Sequence, residues 1–526
     1  MHRSIQFVFL SILLLGINVQ AQQQQPNVLF IFCDDLNDVV IGGHPQCISP
    51  NIDHLAEMGV SFTNAHTNAP LCAPSRASMV TGLLPSSSGY FAGKQYHWRD
   101  NPNLKEAKTF MEHFKDNGYK VMGTGKIFHH KHEDHSVWSK ENGERLFGYK
   151  YSFGPYPWDG ESTNLWATQH PDFPTLHMDV LCTSLENVPD VKPDPGEGTP
   201  GFSGWRLYDK PFKYIDDTTR DKMPDELYAD WAMEKLKEKH NQPFMMCIGF
   251  NRPHAPLIAP KKYFDMFPLE SVQVAKAFPN DTADCAKILV RDTDYGTGRH
   301  GYDNYDDIRT LGKDGLKKWT QAYLACVAYV DEQIGKVLKA LENSEYADNT
   351  IIVFSSDHGY HMGQKNWLFK NSLWGKATRI PYIIAGQGVQ KNTTSNQAVS
   401  LVDIYPTLND LCGLSKQPNI NENILTLDGQ SLVPILKGEK KSLKKDYTVT
   451  YVSSGKFAEE KGIPGDYQNH HAAIVSDKFR YIRCYNGEEE LYDTEKDFEE
   501  INNLAANENY SKELKRFRKI YEGIKN

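Results

Sequence analysis

Five short and almost unbroken apolar runs constrain this chain more than any other feature: NVLFIFC (27–33), KVMGTG (120–125), FMMCIGF (244–250), TIIVFSS (350–356) and IPYIIAG (380–386). A strand wetted on one face alternates apolar and polar residues, so a strand without alternation is covered on both faces. Segments of helical period lie between the runs. SPNIDHLAEMG (49–59) opens on Ser49 as a cap with Pro50 at the first helical position, and KTFMEHFKDNG (108–118) closes on a glycine. PDELYADWAMEKLKEK (224–239), KKWTQAYLACVAYVDEQIGKVLKAL (317–341) and SLVDIYPTLNDLCG (400–413) continue the alternation. The expected fold class is α/β, a large mixed and mostly parallel sheet sandwiched by helices.

Past about residue 440 the texture changes. GEKKSLKKD (438–446) is a charged linker, followed by strand-period segments with tight turns and a basic helix over 511–525. They predict a smaller C-terminal α+β subdomain of antiparallel sheet plus helix. At the other end, Arg3, the apolar run Ile5–Ile17 and the small-residue exit Val19-Gln20-Ala21 form a signal-peptide pattern. The expected division is a signal peptide over 1–21, a main α/β domain over 22–440 and the C-terminal subdomain over 441–526. The mature chain is expected to be exported, periplasmic or secreted, with no membrane span.

A net charge of −9 argues against nucleic acid as a partner. The nine cysteines are odd in number and irregular in spacing, which fits neither a disulfide framework nor a zinc cluster. Cys33, Cys247, Cys326 and Cys412 sit in apolar runs, as buried small hydrophobes do. Cys72 does not, lying in the polar, proline-bearing stretch LCAPSRASMVTG (71–82).

Two of the strands run into acids, VLFIFCDD at Asp34 and Asp35 and IIVFSSDHG at Asp357 and His358. In an open α/β sheet the carboxyl ends of the strands face the ligand crevice. Two carboxylates about 4 Å apart repel by about 4 kcal/mol at an effective dielectric near 20, so two pairs in one crevice call for a cation. Oxygen ligands favour Ca2+ or Mg2+, while His358 leaves zinc open. A thiol is an awkward neighbour for a hard cation.

Cys72-Ala73-Pro74-Ser75-Arg76 with Thr81-Gly82 matches C-x-P-S-R-x-x-x-x-T-G, and in this the chain resembles the type I sulfatases. PNVLFIFCDDLND, FNRPHAPL, SSDHGYHMGQKNWLFKNSLWGKATRIPYII and LYDTEKDFEEINNLA look like sulfatase blocks in sulfatase order. GKIFHH, RPHAP and NWLFK resemble the iduronate-2-sulfatase-like branch.

The resemblance implies an alkaline-phosphatase/sulfatase-like sheet. It implies oxidation of Cys72 to 3-oxoalanine (Cα-formylglycine) by a formylglycine-generating or sulfatase-maturing enzyme. One oxygen of the hydrated aldehyde would be both metal ligand and nucleophile. The implied metal ligands are Asp34, Asp35, modified Cys72, Asp357 and His358 around one divalent cation, Ca2+ with Mg2+ as the alternative. Arg76, Lys126 and Lys370 would surround the formylglycine and sulfate with positive charge, Arg76 near the start of a helix beginning around Ser75. His129 would take the proton of the second hydroxyl, and His254 would protonate the departing sugar oxygen or bind the sulfate. His130, His132 and His135 compete with His129, and Lys365 with Lys370; Asp403 reads as a helix-start or structural acid.

The implied substrate is a sulfated oligosaccharide derived from a sulfated polysaccharide, with the sulfate removed by exo action at its end. A 2-O-sulfated uronate or a marine glycan such as ulvan or carrageenan would fit. Lys94, Arg99, Arg252 and His300 are candidate partners for a substrate carboxylate. The loop-rich regions 129–223 and 255–316 are candidates for a saccharide-binding rim. A phosphatase or phosphodiesterase of the alkaline-phosphatase superfamily and a non-catalytic glycan-binding protein are the competing readings.

Overall fold

The computed structural model describes residues 25–91, 97–129, 134–157, 182–187, 202–208, 210–290, 305–306, 308, 314–415, 418, 426–454 and 466–524. The expected signal peptide, Lys94, His130, His132, His300 and much of the two rim regions lie outside the described residues.

Eight strands form the main sheet: β1 Asn27–Asp34, β2 Gly59–Phe62, β3 Lys120–Gly125, β4 Phe147–Lys150, β5 Phe244–Pro253, β6 Thr350–Ser356, β7 Tyr382–Gly386 and β8 Thr393–Ser395. Their order is β8-β2-β7-β6-β1-β5-β3-β4. β1 is central and parallel to both neighbours, with Phe30 opposite Cys247 on one side and Val353 on the other. Alternate residues of β1 enter different cores. Leu29, Ile31 and Cys33 pack into one, and Val28, Phe30 and Phe32 into the other. Burial on both faces is why the run shows no alternation.

The helices are α1 Pro50–Met58, α2 Cys72–Thr81, α3 Phe110–Asp116, α4 Pro224–Lys237, α5 Gly315–Glu342 and α6 Ile404–Leu411. α4 and α5 supply the first core, α2, α3 and α6 the second. The sheet is mostly parallel, as expected, with β7 antiparallel to both its neighbours. The connection from β6 to β7 holds two short helical turns, Gln364–Asn366 and Gly375–Thr378, instead of a crossover helix, so the chain returns beside β6 in the opposite sense. β2, β4 and β8 carry too few residues for a periodic signal.

The C-terminal sheet is antiparallel, with β9 Tyr447–Val452, β10 His471–Ser476, β11 Phe479–Arg483 and β12 Glu489–Asp493 in sequence order. Helix α7, Ser511–Gly523, sets Leu514 and Phe517 against Val449, Tyr481 and Leu491 on one face. The other face packs Ala473, Ile482 and Tyr492 on Trp367, Leu373 and Trp374. Those residues belong to the loop between β6 and β7, which also carries Lys370.

Candidate active site

β1 ends at Asp34, and Asp35 turns the chain in the left-handed region at φ 64°. Consecutive strand residues point to opposite faces; this turn breaks the alternation and lets both carboxylates enter one crevice. The Asp35 amide donates to Asp357 Oδ1 at 3.0 Å, and its carbonyl accepts from Tyr323 Oη at 2.8 Å.

α2 starts at Cys72, earlier than expected, and Cys72 therefore occupies the first helical position. Pro74 is tolerated in that first turn because its missing N–H would have had no intrahelical partner. Every residue of the helix is buried, and Gly82 ends it at φ 69°, where its N–H bonds the Ser78 carbonyl. Ser75 donates to the Asp357 carbonyl, tying the helix to the end of β6. Cys72 Sγ lies 3.2 Å from His358 Nε2 and 3.1 Å from Lys370 Nζ.

Arg76 is buried, and its guanidinium spans Asp34 at 2.9 Å and Asp357 at 3.0 Å while also donating to the Lys126 and Ile127 carbonyls. Its donors are committed beneath the acids. Lys126 pairs with Asp34, and Lys370 with Asp35 at 2.6 Å. At Gly249 a Cβ would fall 2.1 Å from the Lys126 carbonyl oxygen, so only glycine lets β5 run this close to the lysine. Phe369 and Asn371, both left-handed at φ 65° and 67°, flank Lys370. Conformations of that kind concentrate at functional sites.

His254 Nε2 faces both acids, 3.9 Å from Asp34 and 3.8 Å from Asp35. Its Nδ1 is bonded to the Ala255 carbonyl, and its ring stacks on Phe153 at 4.1 Å. His358 Nδ1 likewise lies 3.0 Å from the Gly359 carbonyl. With the proton on Nδ1, Nε2 of His358 turns its lone pair toward Cys72 and Asp35. His129, half-buried, lies three residues beyond Lys126.

Burial alone would raise the Asp34 carboxyl, but Lys126, His254 and Arg76 hold it well below the usual range. For Asp35 burial prevails and pushes the carboxyl up to about 7, against the opposing field of Lys370. Asp357 is pushed up to about 6 by burial, against Arg76. Burial lifts the Cys72 thiol to about 12 despite Lys126 and Lys370.

The three carboxylates of the donor set suit a cation, and the thiol is the one member that does not suit a hard one. Candidate ligand atoms of Asp35, Cys72, Asp357 and His358 lie within 4.8 Å of one another, as do those of Asp34, Asp35, Cys72 and His254. Asp35 Oδ2 is buried with no hydrogen-bond partner among the described residues. A bound cation would satisfy that oxygen and reverse the cost of ionising Asp35 and Asp357.

The sulfatase family model matches residues 26–414. The chain belongs to the sulfatase family. It is a sulfuric ester hydrolase. The model for the C-terminal part of N-sulphoglucosamine sulphohydrolase matches 363–525 of this sulfatase. A sulfatase of Formosa agariphila is 36% identical over 499 residues, covering 93% of this chain and 85% of that protein. The iduronate 2-sulfatase of Homo sapiens is 29% identical over 427 residues, covering 74% and 70%. The solved phosphonate monoester hydrolase of Silicibacter pomeroyi has a TM-score of 0.68 at 20% identity over 95% of each chain, a likeness of fold.

Several expectations are narrowed. Lys365 is buried against Asp281 at 2.6 Å and the Glu500 carbonyl, so Lys370 is the lysine beside Cys72. Arg99 is held by Glu112 and Asp134, and Arg252 by backbone carbonyls, so both guanidinium groups are already engaged. Asp403 accepts the Ser400 and Gln430 amides, a structural acid as expected. Phe153 is the site residue that sequence reasoning missed. It lies in a loop, where no periodicity marks a ring for a remote histidine.

Proposed function

We propose that this sulfatase removes sulfate from a sulfated saccharide, acting at the ends of oligosaccharides from a sulfated polysaccharide, with a 2-O-sulfated uronate or an ulvan-type sugar as substrate. The similarity to an iduronate 2-sulfatase supports the uronate. The observation that carries the chemistry is Cys72 at the head of α2, within 3.2 Å of both His358 Nε2 and Lys370 Nζ and beside the strand-end acids. A buried thiol kept neutral is a poor partner for a hard cation, whereas the oxygen of a hydrated aldehyde at that position is a hard ligand that a bound cation would acidify.

Asp34, Asp35, Asp357 and His358 would hold one Ca2+, with Mg2+ the alternative. When bound, the cation supplies charge that polarises a sulfate oxygen, and the hydrated formylglycine from Cys72 supplies the attacking oxygen. The remaining work belongs to the side chains. Lys126 and Lys370 place ammonium groups against the sulfate, and Arg76 balances Asp34 and Asp357 from below. His254 gives a proton from Nε2 to the departing sugar oxygen; burial and the field of Lys370 hold its ring well below the usual imidazole range, and the sulfate anion lying against it opposes both. His129 is the opposing base. Residues 1–21 direct export to the periplasm or beyond, where a maturing enzyme's product can meet polysaccharide. Residues 22–440 carry the site, and 441–526 brace it.

Mass analysis of the peptide containing Cys72 tests this reading. Conversion to the aldehyde lowers the mass by about 18 Da, and the converted protein should release sulfate from sulfated uronate disaccharides. A fully active enzyme with an intact thiol at Cys72 would overturn it.

A further inference from the structure

The geometry points to Arg252 as the positioning residue for His254: its guanidinium joins the loop that carries the histidine to the loop that carries the ring the histidine stacks on. This rests on the reading of His254 as proton donor.

Arg252 is 1% exposed, near the end of β5. Its Nε donates to the Ile258 carbonyl at 2.9 Å and its Nη1 to the His254 carbonyl at 3.4 Å, which closes the 252–258 loop on itself. Its Nη2 reaches the other loop, donating to the carbonyls of Phe153 at 3.1 Å and Gly154 at 3.3 Å. Four carbonyls from two chain segments thus share one planar cation. The base of this bracket is also pinned. Asp225 accepts the amides of Asn251 at 2.8 Å and Arg252 at 3.0 Å. Asn251 Nδ2 donates to the Ser152 carbonyl at 2.7 Å, a second stitch to the same loop.

The result appears at the histidine. Phe153 lies flat on His254, ring planes 16° apart, and the Lys126 ammonium sits 4.6 Å from the same phenyl ring. The imidazole is held at one end by the Ala255 carbonyl and across its face by Phe153, which leaves Nε2 aimed at Asp34 and Asp35. A lysine could not replace the arginine here. Its ammonium is a single point of donors and cannot span carbonyls on two loops as a planar fork does. Among the described residues the guanidinium bonds carbonyls alone, and the Asp225 carboxylate acts on it only through space, so its desolvation is offset less than a direct ion pair would offset it. Its span between the two walls of the histidine pocket gives it a use in orientation.

The test compares the mature enzyme with Arg252→Lys, Phe153→Leu and His254→Ala. The substrates are aryl sulfates of graded phenol acidity and a sulfated disaccharide, and thermal melting is followed alongside. Loss of a proton donor is felt when the leaving group is a poor one and hardly at all when it is a good one. His254→Ala should lose about 100-fold or more in kcat on the sugar sulfate and less than about 3-fold on the most acidic phenol. Arg252→Lys and Phe153→Leu should reproduce that selectivity at about 10-fold or more on the sugar sulfate, with KM little changed. If His254→Ala is selective while Arg252→Lys and Phe153→Leu lose equally on every substrate, the positioning inference is overturned and the proton-donor reading stands. If His254→Ala itself loses equally on all of them, the donor reading is overturned and the inference with it. If Arg252→Lys does not fold, Phe153→Leu, on the other wall of the same bracket, decides by the same criterion.

Discussion

At the residue scale, two lysines five positions apart have opposite fates. Lys365 is buried in the contact between the main body and the C-terminal sheet, where it pairs with Asp281 and lies over the Trp374 and Tyr492 rings. Lys370 faces Cys72 and Asp35. Lys365→Ala leaves a buried carboxylate unpaired and should cost about 3 kcal/mol of stability, with kcat retained in the folded fraction. Lys370→Met should lower kcat about 100-fold in the presence of Ca2+, with little change in melting. Urea titration and initial rates on each variant decide between them, and the reverse pattern would exchange the roles. Cys72, by contrast, stands out as a candidate in the string alone, because a long motif of small and charged residues has few structural reasons to exist.

At the element scale, Ser49 was expected to cap α1, yet its side chain makes no capping bond. The cap comes from α5. Asp331 accepts the Ile52 amide at 2.8 Å and the Asn51 amide at 3.2 Å. Sequence shows only neighbours within a few residues, and this cap crosses 279 positions. Asp331→Ala should destabilise the protein by about 2 kcal/mol, since the buried Ile52 and part-buried Asn51 N–H donors lose their acceptor. Burial pushes the Asp331 carboxyl up to about 6 from an ordinary 3.8, despite the amides that favour its charge. The folded state therefore holds this proton longer than the unfolded chain. The contribution is fully present below about pH 4 and is lost as pH rises through about 6. Denaturant titrations of wild type and Asp331→Asn from pH 4 to 7 should show that slope in wild type alone. Parallel curves would remove Asp331 from the account.

On the scale of the whole molecule, the acids that make the centre come from strand ends more than 300 residues apart, and the C-terminal sheet braces the loop that delivers Lys370. Arg480 donates to Glu500 at 2.6 Å and to the Leu373 carbonyl, while Glu500 accepts the Gly375 amide at 2.8 Å. Arg480→Ala should cost about 3 kcal/mol. Activity should then be lost in step with protease cleavage of the C-terminal segment; activity that survives cleavage would deny the brace. If the acid cluster binds Ca2+, the ion at about 100 times its Kd should stabilise the fold by about 2.7 kcal/mol. Chelation should reverse the rise in melting temperature, and Asp357→Asn should abolish it. An unchanged melting curve would remove the cation from this centre.

The sequence by itself determined the layered α/β body and the antiparallel C-terminal sheet, and it marked Cys72 as the candidate at the centre of the site. Those features are written in local periodicity and in one contiguous motif, which burial on two faces and helix geometry convert directly into structure. Only the tertiary structure decided that β7 runs antiparallel, that Asp331 caps α1, that Lys370 and not Lys365 reaches Cys72, and that Phe153 and Arg252 frame His254. Each depends on residues distant in the chain meeting in space, and their contact energies leave no periodic trace along it.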